Sequence, residues 1–198
     1  MITPGDYQIY QPRPARPSMR RSPARIVVVG TTGSGKSTLA ERLAARIGGD
    51  FVDLDALNWG PDWTPAPVPE FRERATAALA AECWVVAGNY SKLRDIVWGA
   101  ADTLIWLDYP LPLVLWRLLR RTIRRVATRE ELWNGNRERF REQFASRESL
   151  FLWAIKTYSR RRHEYPAALA LPEYAHLRVL RFRWPRQMER WFNSMSNR

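Results

Sequence analysis

Gly30-Thr31-Thr32-Gly33-Ser34-Gly35-Lys36-Ser37 stands directly behind the β-branched run Ile26-Val27-Val28-Val29 and directly ahead of Leu39, Leu43 and Ile47, which repeat at helical spacing. The octet satisfies G-x-x-x-x-G-K-[ST] in the context where that pattern carries a mechanism, a strand turning into a helix through a glycine-rich loop. Glycines let backbone N–H groups converge on phosphate oxygens, and the helix N-terminus adds its positive dipole. A lysine at the position of Lys36 neutralises the β and γ phosphates, and a hydroxyl at the position of Ser37 binds magnesium. Gly30, Thr31, Thr32, Gly33, Ser34, Gly35, Lys36, Ser37 and Thr38 are therefore the expected ATP-binding residues, with Mg²⁺ as the expected ion.

Outward from this loop, short apolar runs alternate with helical periodicity. Strands are expected at 26–29, 51–54, 84–87, 103–107 and 177–182, and helices at 37–47, 70–81, 111–126, 129–144, 150–165 and from about 186. Strands apolar along their whole length, separated by helices, imply a parallel sheet covered on both faces, with ligands beyond its carboxyl ends. The expected fold is α/β, a P-loop NTPase three-layer αβα sandwich with a five-stranded parallel sheet and a helical Arg-rich lid at about 128–147. Residues 1–24 contain Pro4, Pro12, Pro14, Pro17 and Pro23 among Arg13, Arg16, Arg20 and Arg21, and read as a disordered basic tail ahead of a P-loop domain at 25–198. Met19 lies close enough to that boundary for 1–18 to be an over-long gene start. No internal repeat interrupts the domain.

The chain has 198 residues, 45% of them hydrophobic and 12% aromatic, which excludes a wholly disordered protein and fits one domain. A formal charge of +12 points to an anionic partner. Nearly all of it is arginine, with lysine only at Lys36, Lys92 and Lys156, so part of the basicity reflects codon preference. Cys83 stands alone and makes no internal disulfide, and neither a secretory signal nor a run of ~18 apolar residues is present. These features predict a soluble cytoplasmic protein. A switch GTPase would carry a base-reading N-K-x-D segment, which is absent, and a motor ATPase would be longer. A small phosphotransferase or a small regulatory ATPase remains.

Asp53-Leu54-Asp55, Trp84-Val85-Val86-Ala87-Gly88-Asn89-Tyr90, Trp106-Leu107-Asp108-Tyr109-Pro110 and the Arg-rich helix behind them, together with the phosphate loop, resemble the adenylate-kinase-like P-loop kinases. The Gly88-Asn89-Tyr90 triplet and Trp133-Asn134-Gly135-Asn136-Arg137 are similar to a branch of small bacterial proteins described as topology-modulation or adenylate-kinase-related. In the similar shikimate- and gluconate-kinase branches an Asp-x-Asp element holds the magnesium water shell and the acceptor hydroxyl. The resemblance thus implies that one of Asp53 and Asp55 is a metal partner or general base. In extended backbone the two carboxylates share a face; the competing reading is a pair that caps the next helix. Adenylate kinases carry Asp-Gly where this chain has Ala87-Gly88, which moves the metal-ordering duty toward Asp53 or Asp108. Asp55, Asn58, Trp59, Gly88, Asn89, Tyr90 and Arg94 are the candidate acceptor residues, with Gly88 allowing close backbone approach. Tyr90 as a core residue and Trp59 as loop packing are the competing readings, and Trp63 reads as packing.

Arg117, Arg121 and Arg124 share a face of the 111–126 helix, while Leu115, Leu119, Ile123 and Val126 form its expected apolar stripe. By resemblance, Arg117 lies beside the adenine and Arg121 on the phosphates, with Trp184 at the base-binding edge. Arg137 and Arg141 are the expected phosphate contacts of the lid, where guanidinium stabilises charge developing on the transferred phosphoryl. Lys36, Asp53, Arg121 and Arg137 are thus the candidate catalytic residues, and Ser37 and Asp53 the candidate metal partners. Arg160-Arg161-Arg162-His163 reads as a solvated charge run near a helix C-terminus. His163, His176 and Cys83 carry no assigned role. The expected activity is transfer of the γ-phosphoryl of Mg-ATP to a small-molecule or nucleotide acceptor. The alternative is an ATP-binding regulatory protein that binds nucleic acid, and hydrolysis of ATP alone is a third reading that an Arg-rich lid disfavours.

Overall fold

Strand β2 (Arg25–Gly30) is buried from Ile26 onward, and such a strand can only sit inside a sheet. The structure, a computed structural model, describes residues 8–10, 24–128 and 150–195. β2 pairs in parallel with β4 (Trp84–Ala87) on one side and β5 (Thr103–Leu107) on the other. β3 (Asp50–Asp53) extends the sheet beyond β4, and β6 (Arg178–Phe182) extends it beyond β5, giving the parallel order β6-β5-β2-β4-β3. A short β1 (Gln8–Tyr10) pairs antiparallel with β6 at the edge, so the stretch read as a disordered tail contributes a strand.

Alternation along β2 sorts the core into two layers. Val27 and Val29 face a cluster with Phe71 of α3 (Val68–Ala78), Trp98 of α4 (Arg94–Ala100) and Tyr165 of α6 (Leu150–Leu169). Ile26 and Val28 face the other, built with Leu39 and Leu43 of α1 (Lys36–Ile47) and with Met188 and Phe192 of α7 (Pro185–Ser194). The three-layer sandwich follows from this pattern. α1 and α7 are clamped together: the Arg42 guanidinium donates to both carboxylate oxygens of Glu189 at 2.6 and 2.9 Å. The Arg42 and Arg46 guanidinium carbons lie 4.2 and 3.9 Å from the centre of the Phe192 ring.

Three local features depart from the sequence reading. α2 (Leu54–Asn58) and α4 were not foreseen, because 5 and 7 residues are too few to display a helical period. α6 runs on through Pro166 to Leu169, whose burial holds the last turn in place. The largest correction concerns α5 (Leu111–Thr128), whose buried line is Val114, Leu118 and Thr122, whereas Ile123 of the expected stripe is 51% exposed. This helix packs with half-buried Arg117 and Arg121 alongside that line, so its cationic side turns inward. The expected lid at 128–147, with Arg137 and Arg141, lies outside the described residues apart from Thr128.

Candidate active site

The carboxyl ends of β2, β3, β4 and β5 converge on the loop between β2 and α1. Gly35 is the α1 N-cap at φ 93°, a left-handed conformation that an L side chain rarely adopts. A Cβ at Gly33 would meet the Val114 carbonyl at 2.8 Å, so α5 lies directly against the loop. The Arg117 guanidinium donates to the Ser34 carbonyl at 3.2 Å and lies over the Tyr109 ring. Among the described residues the buried Ser34 hydroxyl has no hydrogen-bond partner, and it lies 2.8 Å from where a Cβ on Gly30 would stand. Thr31 is buried, Thr32 half-buried, and Thr38 exposed in the first turn of α1. Trp184 is 53% exposed and lines an apolar groove with Leu113, Pro185 and Arg186, an open face suited to a base. Its backbone N–H and that of Arg183 both donate to the Gln187 side chain, which fixes this turn.

The reacting end is crowded with charge. Lys36 Nζ donates to the Thr31 carbonyl at 3.3 Å. Burial, helped by the nearby Arg161 and Arg121 cations, pushes its ammonium down to about 8, against the pull of Asp55 and Asp53. Burial and the adjacent Asp55 push the Asp53 carboxyl up to about 6. The Ser37 hydroxyl lies close enough to Asp53 to favour its ionised form slightly, so the two expected magnesium partners are neighbours. The Asp53 side chain accepts from the Asp55 backbone N–H at 3.0 Å and caps α2. The cap and the metal role are therefore compatible, but the two aspartates do not share an extended strand, since Asp55 lies in the first turn of α2.

Asp55 is held by the opposite wall. The Tyr90 hydroxyl donates to Asp55 Oδ1 at 2.6 Å, and the Trp59 side chain hydrogen-bonds that hydroxyl in turn. Burial first, and then the neighbouring Asp55 charge, raise the Tyr90 phenol far above its usual range, so it stays a donor. Tyr90 also packs edge-on to Phe71 at 4.9 Å, which joins its two expected roles. Trp63 meets Trp59 edge-on at 5.9 Å, as loop packing requires. Asn58 is buried and its carbonyl ties the loop at Ala66. Between these groups lies a cleft lined by Leu54, Asn89, Tyr90, Arg94, Trp98 and Tyr165, with the Arg94 guanidinium 4.8 Å from the Trp98 ring.

Three expectations change here. Gly88 lines the cleft, and a Cβ there would lie 2.7 Å from the Leu54 side chain, so the glycine is also required for Leu54 to pack. Asn89 lines the cleft, yet its amide is committed to Gly30, donating to the carbonyl at 2.7 Å and accepting from the N–H at 3.0 Å. Asp108 is buried and its carboxylate is engaged by Arg162 at 2.6 Å and Arg181 at 2.9 Å, which removes it from metal ordering. The charge run 160–162 is likewise not simply solvated surface: Arg161 is 8% exposed, donates to Thr157 and faces Lys36. A sequence signal for this existed, because Ala154, Thr157, Arg161, Tyr165 and Ala168 repeat at helical spacing and form one buried stripe.

No family model matches the chain. A shikimate kinase of Synechococcus elongatus is 30% identical over 138 residues, covering 58% of this chain and 72% of that protein. The chain belongs to the shikimate kinase family. Two solved shikimate kinases share the fold: that of Bacteroides thetaiotaomicron, with TM-score 0.52 and 16% identity over 88% of this chain and 97% of its own, and that of Acinetobacter baumannii in complex with shikimate, with TM-score 0.51 and 19% identity over 89% and 95%. This kinase is an ATP-dependent phosphotransferase of the small-molecule class. The nucleic-acid-binding alternative is not favoured, and the inward turn of Arg117, Arg121 and Arg161 gives the basic charge an internal use. Among the described residues no helix is long and apolar enough to cross a membrane.

Proposed function

We propose that this kinase transfers the γ-phosphoryl of Mg-ATP to a hydroxyl of a small hydroxylated carboxylic acid, with the acceptor bound between Asp55, Arg94 and Arg161. The observation that carries the reading is the arrangement of two carboxylates with separate duties. Asp53 caps α2 beside Ser37, the magnesium-type hydroxyl, while Asp55 is held by the Tyr90 hydroxyl on the acceptor side of Lys36. Asp55 accepts the proton of the attacking hydroxyl as its oxygen bonds to the γ-phosphorus and ADP departs. Lys36 and Arg121, with Arg137 from the lid, neutralise the charge that develops on the transferred group. Ser37 and Asp53 are oxygen donors that fit Mg²⁺ and would hold it, and the ion would offset phosphate charge there. Arg117 and Trp184 hold the nucleotide at its base end.

The carboxylic acid class is supported by the half-buried Arg94 on the cleft wall and by the relative of Synechococcus elongatus, a shikimate kinase. Within the family we place the chain in the topology-modulation-like branch, on Gly88-Asn89-Tyr90 and Trp133 to Arg137. The test is coupled ADP release with Mg-ATP against shikimate and other hydroxy acids, sugars, nucleosides and nucleoside monophosphates, with Lys36→Ala as blank. A rate that requires a hydroxy acid and is lost in the variant is the expected outcome. Stimulation by nucleoside monophosphates alone would overturn the acceptor class, and no stimulation by any acceptor would overturn the kinase reading of the site.

A further inference from the structure

The β2–β4 ladder ends one residue too early for the phosphate loop. Gly88 N–H still donates to the Val28 carbonyl at 3.3 Å, but the chain then leaves the sheet while β2 continues to Gly30. In a parallel ladder the N–H and C=O of Gly30 on the β4 side need one more peptide unit to pair with. The side-chain amide of Asn89 is that unit, with its oxygen on the Gly30 N–H and its NH₂ on the Gly30 carbonyl. An amide alone among side chains supplies a donor and an acceptor at this separation. Gly30 opens the phosphate-binding octet, so Asn89 fixes the height at which the loop leaves the sheet.

Asn89 is itself held from the other side of the cleft. Its oxygen accepts a second hydrogen bond from the Tyr165 hydroxyl at 3.1 Å. Tyr165 is 3% exposed and wedged edge-on between Trp98 and Trp106, with ring centres 5.6 and 5.3 Å away, so the hydroxyl has little freedom to aim elsewhere. Three groups on three different elements thus form one directed chain: Tyr165 of α6 donates to Asn89 behind β4, and Asn89 pairs with Gly30 at the end of β2.

We infer that Asn89 and Tyr165 are positioning residues, through which α6 sets the register of the phosphate loop for nucleotide binding. The inference rests on the reading of the loop as the ATP site and requires no particular acceptor. Each hydrogen bond is worth roughly 1 kcal/mol, so removing the central hydroxyl weakens nucleotide binding by about 5-fold. It leaves the aromatic packing in place.

The test is calorimetric affinity for Mg-AMPPNP in the wild type, Tyr165→Phe, Asn89→Ala and the double variant, with the melting temperature of each taken without nucleotide. Expected are a weakening of about 5-fold in Tyr165→Phe and a double variant no weaker than Asn89→Ala alone, since both substitutions cut one chain. A Tyr165→Phe protein that binds like wild type, or effects of the two substitutions that multiply, would overturn the inference while leaving the ATP site intact. A lowered melting temperature with unchanged affinity would make the tyrosine a packing residue and overturn it equally. If wild type binds no Mg-AMPPNP, or Lys36→Ala binds it as well, the reading of the loop fails and the inference with it.

Discussion

Replacing Asp108 by alanine removes a carboxylate whose side chain is 2% exposed and leaves two guanidinium groups facing each other. Breaking a buried ion pair from one side costs about 3–5 kcal/mol, because the remaining charge loses its partner without regaining water. The arginines here are not sealed: Arg162 is 38% and Arg181 20% exposed, so both rehydrate in part. Arg181 also stays pinned with its guanidinium carbon 4.1 Å from the Trp106 ring centre and cannot swing fully into solvent. The balance points to the lower end, about 3 kcal/mol, which for a chain of this size lowers the melting temperature by about 6–12 °C. Urea unfolding followed by far-ultraviolet circular dichroism measures it, with the denaturant slope expected to stay unchanged. Asp108→Asn keeps the shape and one acceptor, so its loss should be about half as large. A loss below ~1 kcal/mol in Asp108→Ala would refute the argument, since the carboxylate would then be an ordinary surface charge despite its burial.

Two further outcomes follow from the carboxylates at the reacting end. The Asp53 carboxyl is raised to about 6, so the folded protein holds a proton that the unfolded chain releases near 4. Its stabilising contribution is therefore complete below about pH 4 and lost as the pH rises through about 6. Asp53→Asn should melt above wild type at pH 7, lose that advantage by pH 4 and have no turnover; a gap independent of pH would contradict the assignment. Tyr90→Phe frees Asp55 and should lower kcat about 10-fold with the KM for ATP unchanged. An effect confined to that KM would show that Tyr90 serves the nucleotide instead.

The phosphate loop was legible in the sequence because its demands are local: Gly35 must adopt a positive φ, Lys36 must follow it, and a strand and a helix must flank both. The sheet was legible because Val27, Val28 and Val29 are apolar on both faces. α5 was legible in part: Leu115, Leu119 and Val126 of the expected stripe are half-buried, as are Arg117 and Arg121, but Ile123 is exposed and the deepest line is Val114, Leu118 and Thr122. Arg161 was hidden by its neighbours: within Arg160-Arg161-Arg162 nothing in composition marks the middle one as buried. Its place on the stripe from Ala154 to Ala168 shows it only once the period is followed over the whole helix. Asn89 was read as an acceptor contact because no sequence pattern reports that a strand stops one rung short. Asp53 was read as a metal partner or a cap, and the structure makes it a cap that lies beside Ser37.

The contact between α1 and α7 bears on how the protein assembles. Arg42 and Glu189 lie 147 residues apart in sequence, and the loop between them is closed chiefly by the β2–β5–β6 pairings. The clamp of Arg42 and Arg46 on Phe192 is therefore expected to form late, after the sheet that carries both helices exists. Interactions absent from the folding transition state act on the unfolding rate and leave the folding rate almost untouched. The helix that opens at the phosphate loop is thus secured on its far side by the last pieces of chain to arrive. A nascent β2–α1 unit holds the whole G-x-x-x-x-G-K-S stretch but is not yet a nucleotide site.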